Sequence, residues 1–265
     1  MEIEKLKAIV TEAGRLIEDV HLEPGEVITK EGHSNFVTLY DKKVQDYLEK
    51  ALKEAYPSYR FIAEEQEAHE KVKDEPCFIV DPIDGTSNFI HGLPFFAISV
   101  AAVSEGRVRS GVVYNPVSKE LYWAEEGKGA YLGNKRLRCP DNGLALNLFC
   151  VGMSPYYAEL LPATLELMAK IQPQVTDLRR IGAAALDLCF IASGRQGGFC
   201  EWRLQPWDYA AGMLIAREAG ALVTTLDGEA LPLDRPSDIL ACSPKAYREF
   251  RTLIDIDQIR QDFLP

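Results

Sequence analysis

The stretch PCFIVDPIDGTSNFIHGLP, residues 76–94, combines a short apolar run with two carboxylates and a turn. The run CFIV predicts a buried strand, and Asp81 and Asp84 follow it on either side of Pro82, which stiffens the backbone. Gly85 permits a tight bend or the close approach of a ligand. Because hard cations such as Mg²⁺ take carboxylate oxygens and share them with phosphate, the stretch predicts a metal and phosphate site. An ordinary Asp-Gly turn is the alternative interpretation.

The residues after the turn bear on the kind of phosphate chemistry. Thr86 and Ser87 are candidates for a helix start, whose free N–H groups favour a bound phosphate. Phosphatases with an aspartyl nucleophile carry Asp-x-Asp-Gly-Thr after a strand. Here Pro82 stands in the place of that nucleophile and Asp81 lies one residue too early. The stretch therefore argues against that class of phosphatase.

Length, composition and charge narrow the class of protein. The chain has 265 residues, 47% of them apolar, which suffices for one large domain or two closely packed ones. The net charge of −11 disfavours general affinity for nucleic acid or an anionic membrane, because both need a basic surface. The same charge opposes the binding of phosphate, unless metal ions reverse the local field.

Cysteine usage and the chain start predict a cytoplasmic protein. The six cysteines show no CxxC spacing and several lie in apolar runs, so we expect reduced thiols. The start MEIEKLKAIV predicts an amphipathic helix without the apolar segment of a signal peptide. No apolar run is long enough for a membrane span.

Two kinds of pattern follow one another along the chain. Between residues 95 and 134, apolar runs alternate with short turn signals, which predicts an antiparallel meander. After about residue 140, strand and helix patterns alternate, which predicts an α/β layer. The sequence therefore predicts a mixed fold of an α+β half, residues 1–140, and an α/β half, residues 141–265, packed as one compact unit.

Two helix starts carry specific expectations. Asp41 stands just before the second predicted helix, where by default it is an N-cap. A later helix is expected from Ser154-Pro155 to about Lys170, with a kink or break at Pro162.

Other acidic residues have ordinary interpretations when each is taken alone. Glu64 and Glu65 end a predicted strand, and Glu201 ends another, as solvated charges often do. Asp208 lies in the first turn of a helix, where the dipole favours a carboxylate by about 0.3–1 kcal/mol. The small residues that follow Asp208 would let its helix approach a neighbouring element closely.

Four motifs together resemble a known family. DPIDGTSNFIHGLP, residues 81–94, and WDYAAGMLIAREAGA, residues 207–221, are similar to the two signature motifs of the inositol monophosphatase family. Residues 63–65, AEE, resemble its glutamate motif, with Ala where Gly is usual. Residues 35–41, NFVTLYD, resemble its N-terminal motif, with Asn where Asp is common. The order and spacing of all four agree with the family.

The resemblance implies a fold and an activity. The fold would be a layered αβαβα sandwich, with an N-terminal antiparallel sheet and helices followed by a C-terminal α/β layer. The activity would be a Mg²⁺-dependent phosphomonoesterase that hydrolyses inositol monophosphate or a similar polyol or sugar phosphate by attack of an activated water. The resemblance also implies two to three Mg²⁺ per site, lithium sensitivity and a homodimer.

The resemblance further implies a set of metal ligands. Glu65, Asp81 and the carbonyl of Ile83 would hold a first Mg²⁺, and Asp81, Asp84 and Asp208 a second. A third, weaker ion would lie near Glu65. Two ions can activate a water and clamp both oxygens of an in-line displacement.

Catalytic and substrate contacts come from the same resemblance. Thr86, hydrogen-bonded to Asp41, would position the attacking water and help to deprotonate it. Glu65 would be the third catalytic residue. Glu201 would accept hydrogen bonds from polyol hydroxyls. The implied substrate contacts are Asp84, Gly85, Thr86, Gly182, Ala183, Ala184, Glu201 and Asp208.

Other functions remain open at this point. Ser87-Asn88 after Asp-Gly-Thr argues against the sulfur-nucleotide phosphatases, which usually show Lys-Glu there. Fructose 1,6-bisphosphatases and NADP phosphatases of the same superfamily share much of the motif set. A non-catalytic regulatory partner that keeps the fold is a further alternative. The expected partner is a small phosphate ester, with no membrane and no direct contact with nucleic acid.

Overall fold

The fold is known from a computed structural model, which describes residues 2–20, 22, 27–29, 36–66, 72 and 75–264. The helices are α1 Ile3–Gly14, α2 Leu39–Ala55, α3 Thr86–Ile90, α4 Leu161–Ile171, α5 Ala184–Ala192, α6 Pro206–Glu218, α7 Pro244–Leu253 and α8 Ile256–Phe263. The strands are β1 Val27–Thr29, β2 Phe36–Thr38, β3 Arg60–Ala63, β4 Cys77–Asp84, β5 Ala97–Ser104, β6 Arg107–Asn115, β7 Glu120–Glu125, β8 Gly129–Leu132, β9 Lys135–Arg136, β10 Leu148–Val151, β11 Asp177–Arg179, β12 Gly198–Leu204, β13 Leu222–Thr224 and β14 Ser237–Cys242. Residue 35 of the N-terminal motif lies outside the described residues.

A seven-stranded sheet occupies the first half of the chain, in the order β3-β4-β5-β6-β7-β8-β9. Strands β4 to β9 pair antiparallel in sequence order, while β3 joins β4 in parallel. Short turns join the strands because glycines at 106 and 133 adopt positive φ there. The antiparallel meander is thereby confirmed.

A five-stranded sheet follows, in the order β11-β10-β12-β14-β13. Its strands β10, β11 and β12 run parallel, with α4 and α5 in the connections, and β14 pairs antiparallel with both β12 and β13. This mixed sheet confirms the predicted change to an α/β pattern. The boundary near residue 140 stays a prediction.

Three hydrophobic cores fill the spaces between five layers. Helices α1 and α2 cover one face of the seven-stranded sheet. Helices α5 and α6 lie in the core between the two sheets. Helices α4, α7 and α8 cover the outer face of the five-stranded sheet. The order of layers is αβαβα, as expected.

Close packing of α6 places Asp208, which lies in its first turn. A side chain at Gly111 of β6 would come within 2.7 Å of the Ala211 carbonyl oxygen. A side chain at Gly212 would come within 2.8 Å of Leu188 in α5. Because small residues stand at both contacts, α6 lies directly against the seven-stranded sheet and α5.

Two helix starts differ from expectation. Thr38, and not Asp41, is the N-cap of α2, and Asp41 completes a capping box at the third helical position. Helix α4 begins at Leu161, so Pro162 lies in its first turn and does not kink a longer helix. Proline is favoured there because the first turn needs no N–H donor.

Two further expectations can be compared with the structure. All six cysteines are free thiols, as predicted. Within the described part of the chain, none of the helices has the length and apolarity needed to traverse a bilayer.

Candidate active site

One cavity of about 530 Å³ gathers residues from both halves of the chain. Most of the predicted site residues line it. They are Glu65, Asp81, Ile83, Asp84, Gly85, Thr86, Gly182, Ala184, Glu201 and Asp208. Asp41 and Ala183 are not in its lining, and both are only 1% exposed. Four segments that are distant in sequence thus meet around one space.

The turn after β4 shapes one wall of the cavity. The pairing of β4 with β5 shifts register between Asp81 and Asp84, so the strand bulges at these carboxylates. One carboxylate oxygen of Asp81, Oδ1, accepts the N–H of Ile83 at 3.0 Å. Gly85 has φ of 89°, and a side chain there would meet the Phe95 carbonyl oxygen at 2.8 Å. Glycine is therefore required at this bend.

Two other carboxylates are oriented by helix starts. Asp84 Oδ2 accepts the N–H of Ala185, in the first turn of α5, at 2.7 Å. Asp208 Oδ2 accepts the N–H of Gln205, the N-cap of α6, at 2.7 Å. Each carboxylate keeps a second oxygen that this backbone bond does not use. The three side chains are therefore aimed before any ligand binds.

Burial and mutual repulsion disfavour the charged forms of these acids. Burial raises the pKa of Asp84 to about 8, and the N–H of Ala185 opposes this shift. Burial and then the charges of Glu64 and Asp84 raise the pKa values of Asp81 and Asp208 well above the ordinary value. A cation that offsets the charge would remove this cost.

Glu64 and Glu65, which follow β3, act on different aspartates of the site. Both line the cavity. The charge of Glu64 acts on Asp81 and Asp208, whereas the charge of Glu65 acts on Asp41. The N–H of Glu65 donates to Gln45 Oε1 at 3.0 Å. Glu64 is therefore a second candidate ligand, and the assignment of Glu65 stays a prediction.

The donor set suits Mg²⁺, although the acids do not form a closed cage. Among the described side chains, no group of three or more acidic, histidine or cysteine residues is close enough to be a preformed metal cluster. Yet carboxylates and a strand-end carbonyl are the oxygen ligands that Mg²⁺ prefers. The residues fit the ion by chemistry, and the carboxylates would draw closer when repulsion between them is offset.

Thr86 and Asp41 form the expected pair. The Thr86 hydroxyl lies 2.9 Å from the Ile83 carbonyl oxygen and 3.3 Å from Asp41 Oδ1. The other oxygen of Asp41 accepts the N–H and the hydroxyl of Thr38 at 2.7 and 2.6 Å. Burial raises the pKa of Asp41 to about 6, against these hydrogen bonds.

The residues predicted to contact the alcohol half of the substrate lie at the start of α5 and in β12. Gly182 and Ala184 line the cavity, while Ala183 is buried with its Cβ next to Gly85. Oε1 of Glu201 accepts the Ser154 N–H at 2.8 Å, and burial raises the pKa of Glu201 to about 7. One oxygen of Glu201 is therefore already engaged by the protein.

Several cavity residues were missed by the sequence reasoning. Asp187, in α5, is 2% exposed, and burial raises its pKa to about 7. An acid inside the apolar run ALDLC was a usable signal, because such charges are rarely buried without a reason. Tyr156 also lines the cavity. No local pattern marked this residue.

Comparison with known proteins places this geometry in a family. The sequence model described as "Inositol monophosphatase family" matches residues 2–256. An inositol-1-monophosphatase of Mesorhizobium japonicum is 38% identical over 216 residues, which cover 79% of each chain. A protein of Vibrio cholerae named Nus factor SuhB is 37% identical over 230 residues, which cover 86% of each chain.

A solved structure agrees with the fold. The structure of an IMPase from Thermotoga maritima has a TM-score of 0.85, with 29% sequence identity and 98% coverage of both chains. The match spans both sheets and the layers of helices around them. Family membership supports a phosphatase activity for a chain with this site. The protein belongs to the inositol monophosphatase family.

Proposed function

We propose that the protein is a Mg²⁺-dependent phosphomonoesterase that hydrolyses inositol monophosphate or a similar polyol phosphate. The observation that carries the proposal is the meeting of Asp81, Asp84, Asp208 and Thr86 in one cavity, with the buried Asp41 hydrogen-bonded to Thr86. Family membership and the name of the Mesorhizobium relative support the same activity.

Two to three Mg²⁺ would be held by acids on one side of the cavity. The proposed ligands are Asp81, the Ile83 carbonyl, Asp84 and Asp208, completed by Glu65 or by its neighbour Glu64. When bound, Mg²⁺ would offset the carboxylate charges and favour deprotonation of an attacking water. The N–H groups of Gly85 and Thr86 would hold the phosphate.

Asp41 and Thr86 would move the proton. The Thr86 hydroxyl positions the water, and Asp41 accepts the proton through that hydroxyl. A pKa of about 6 suits Asp41 to this task, because a general base works best with a pKa near the operating pH. No covalent phosphoenzyme is needed, which agrees with Pro82 in the place of an aspartyl nucleophile.

The alcohol half of the ester would lie along the other side of the cavity. Asp84 and Asp208 would accept hydrogen bonds from hydroxyls of the alcohol, while Gly182 and Ala184 leave room for a ring. Ala183 would act from behind this surface, and Glu201 offers its remaining oxygen to polyol hydroxyls. A side of small residues suits a bulky, uncharged alcohol.

A substrate panel tests this proposal. Phosphate release would be measured for inositol 1-phosphate, fructose 1,6-bisphosphate and NADP, each with Mg²⁺ and with chelator. We expect release only with Mg²⁺ and the largest kcat/KM for inositol 1-phosphate. A larger value for fructose 1,6-bisphosphate or NADP would support those alternative substrates. No release from any ester would contradict the proposal.

Further properties come with the family resemblance. We expect inhibition by Li⁺, through competition for one of the metal positions, and a homodimer in a cytoplasmic location. A titration of activity with LiCl and a measurement of molar mass in solution would check the first two.

A regulatory role is a second candidate, favoured by the name of the Vibrio relative, Nus factor SuhB. Such a role would use the fold as a partner surface and would not need the acids of the cavity. An Asp84→Asn variant without phosphatase activity but with full biological function would support it.

A further inference from the structure

Residues 181–183, here called the alcohol segment, lead into α5 and include two of the proposed alcohol contacts, Gly182 and Ala183. This segment lies directly against the turn at Gly85 and Thr86, here called the phosphate turn. A side chain at Gly85 would come within 3.1 Å of the Ala183 Cβ and within 3.3 Å of the Gly182 carbonyl oxygen. The part of the site proposed for the phosphate is therefore in contact with the part proposed for the alcohol.

Asn88, in α3, connects the same two parts through its side-chain amide. Its Nδ2 donates to the Phe95 carbonyl at 2.6 Å and to the Ile181 carbonyl at 2.9 Å. The Gly182 carbonyl oxygen lies 3.4 Å from the same nitrogen. Because an amide nitrogen has two hydrogens, the two shorter bonds use both of them. Asn88 is only 8% exposed and lines the cavity, so these bonds are largely shielded from water.

A second bond holds the other end of the alcohol segment. Asp84 Oδ2 accepts the Ala185 N–H at 2.7 Å, so the first turn of α5 is tied to the end of β4. Asp84 and Asn88 are four residues apart, as are Ile181 and Ala185, and the two bonds therefore bracket the alcohol segment. Without the Asn88 amide, Ala185 would stay tied to Asp84, whereas the Ile181 end of the segment would be released.

Asn115 is a second buried asparagine, 3% exposed, and its bonds serve a different purpose. Its Nδ2 donates to the Pro94 carbonyl at 3.0 Å, and its Oδ1 accepts the N–H groups of Val117 and Ser118. These bonds hold the segment before β5 and the turn after β6, outside the cavity lining. Asn88, in contrast, binds a carbonyl 93 residues away on the alcohol side of the cavity.

We propose that Asn88 is a positioning residue that holds the alcohol segment against the phosphate turn and thereby sets which alcohols the site accepts. Asn88 would act through residues 181–183. A displaced segment would spoil the hydrogen-bond geometry for polyol hydroxyls, because such bonds weaken steeply with distance and angle. The phosphate would keep its contacts, since its proposed N–H donors lie within the phosphate turn itself. This inference rests on the proposed phosphomonoesterase function.

A first test separates the alcohol half of the ester from the phosphate. Asn88→Ala should raise KM for inositol 1-phosphate roughly tenfold, because two buried carbonyls lose their donor and the segment shifts. The Ki of inorganic phosphate, which has no alcohol half, should stay unchanged. The kcat/KM for p-nitrophenyl phosphate, whose alcohol has no polyol hydroxyls, should fall much less than that for inositol 1-phosphate. An unchanged KM, or an equal rise in the Ki of phosphate, would overturn the inference.

Asn115→Ala is the matched control for a purely structural effect. It removes a buried amide bond to Pro94, next to the Phe95 carbonyl that Asn88 binds, and should lower Tm while leaving KM unchanged. An equal rise in KM in this control would assign the effect to general loosening and overturn the inference. Asn88→Ser keeps one hydroxyl donor and should give an intermediate KM, which provides a second arm. Loss of folding in both Asn88 variants would likewise overturn a positioning role.

Hydrogen exchange tests the position of the segment without any substrate. Asn88→Ala should speed the exchange of amide hydrogens in residues 182–187, measured by mass spectrometry, whereas Asn115→Ala should not. Unchanged exchange in Asn88→Ala would overturn the inference. If the unaltered protein hydrolyses no ester, the proposed function fails. Exchange, together with calorimetric binding of inositol 1-phosphate to the same variants, then decides the role of Asn88 separately.

Discussion

On the acid side of the cavity, Asp81 and Asp208 are held by backbone N–H groups two and three residues away. On the side of the cavity lined by residues 152–157, here called the loop side, Ser154 is held by Glu201, which lies 47 residues further along the chain. Asp81 and Asp208 are thus held by a local turn and a helix cap, whereas Asp84, bound to Ala185 of α5, and the loop side depend on contacts between distant segments. Substitutions on the two sides should consequently have different effects, on the phosphate and metal in one case and on the alcohol in the other.

The largest expected effect is on the acid side. Asp84→Asn should lower kcat for phosphate release about a hundredfold or more, because it removes a metal-directed charge. The amide oxygen can still accept the Ala185 N–H, so the fold should be kept. Steady-state kinetics with saturating Mg²⁺ and a circular dichroism spectrum check both parts.

Glu218→Gln is the control for this substitution. The two carboxylate oxygens of Glu218 accept the N–H groups of Gly127 and Gly129 at 2.7 Å, outside the cavity. The substitution Glu218→Gln therefore removes an acid that binds backbone N–H groups, without changing a residue of the site. Full activity in Asp84→Asn would contradict a catalytic role for the acid side.

The second effect distinguishes the adjacent glutamates. Glu64→Gln should weaken Mg²⁺ binding at least about tenfold, because the charge of Glu64 acts on Asp81 and Asp208. Glu65→Gln should weaken it less. The measurement is the rise in Tm with added Mg²⁺, since a ligand at about 100 times its Kd stabilises by about 2.7 kcal/mol.

Each glutamate variant is the matched control of the other. An equal loss of the Mg²⁺-induced rise in Tm in the two variants would indicate that both glutamates are ligands. A larger loss in Glu65→Gln would restore the assignment that the sequence resemblance implied.

The smallest effect concerns a buried acid of the cavity wall. The folded protein keeps a proton on Asp187 up to about pH 7, whereas the unfolded chain releases it near pH 3.8. The folded state therefore binds more protons between these values, so this group lowers stability as pH rises through that window. Asp187→Asn should flatten the fall in Tm between pH 5 and 8 by about 2–4 °C.

Thermal unfolding with saturating Mg²⁺ at each pH checks this prediction. The amide oxygen of the variant can still accept the Gln196 side-chain N–H, which lies 3.0 Å from Asp187 Oδ1. An unchanged slope with pH would show that Asp187 does not titrate in this range.

The positions of Asp81 and Asp208 could be predicted from sequence because their determinants are local. The DPIDG turn and the start of α6 each place a carboxylate through one backbone N–H, and small residues bring α6 close. The choice between Glu64 and Glu65 could not be made in this way. At the end of a strand, adjacent side chains point in different directions, and a register error of one residue exchanges them.

The loop side was beyond sequence reasoning for a physical reason. Tyr156 lines the cavity in a loop whose Ser154 and Tyr157 contact β12, and no pattern within residues 152–157 reports those contacts. The N-cap of α2 was missed for a simpler reason. Thr38 and Asp41 have the spacing of a capping box, whereas the prediction considered Asp41 alone.

The backbone bonds of the three cavity aspartates have a consequence for the order of events in a living cell. Because Ile83, Ala185 and Gln205 already hold one oxygen of each side chain, we expect the polypeptide to fold before magnesium binds. This differs from small zinc domains, which stay unfolded until their metal arrives. With the proposed Mg²⁺-dependent activity, starvation for the cation would then inactivate the protein without unfolding it, and resupply would reactivate molecules that were made beforehand.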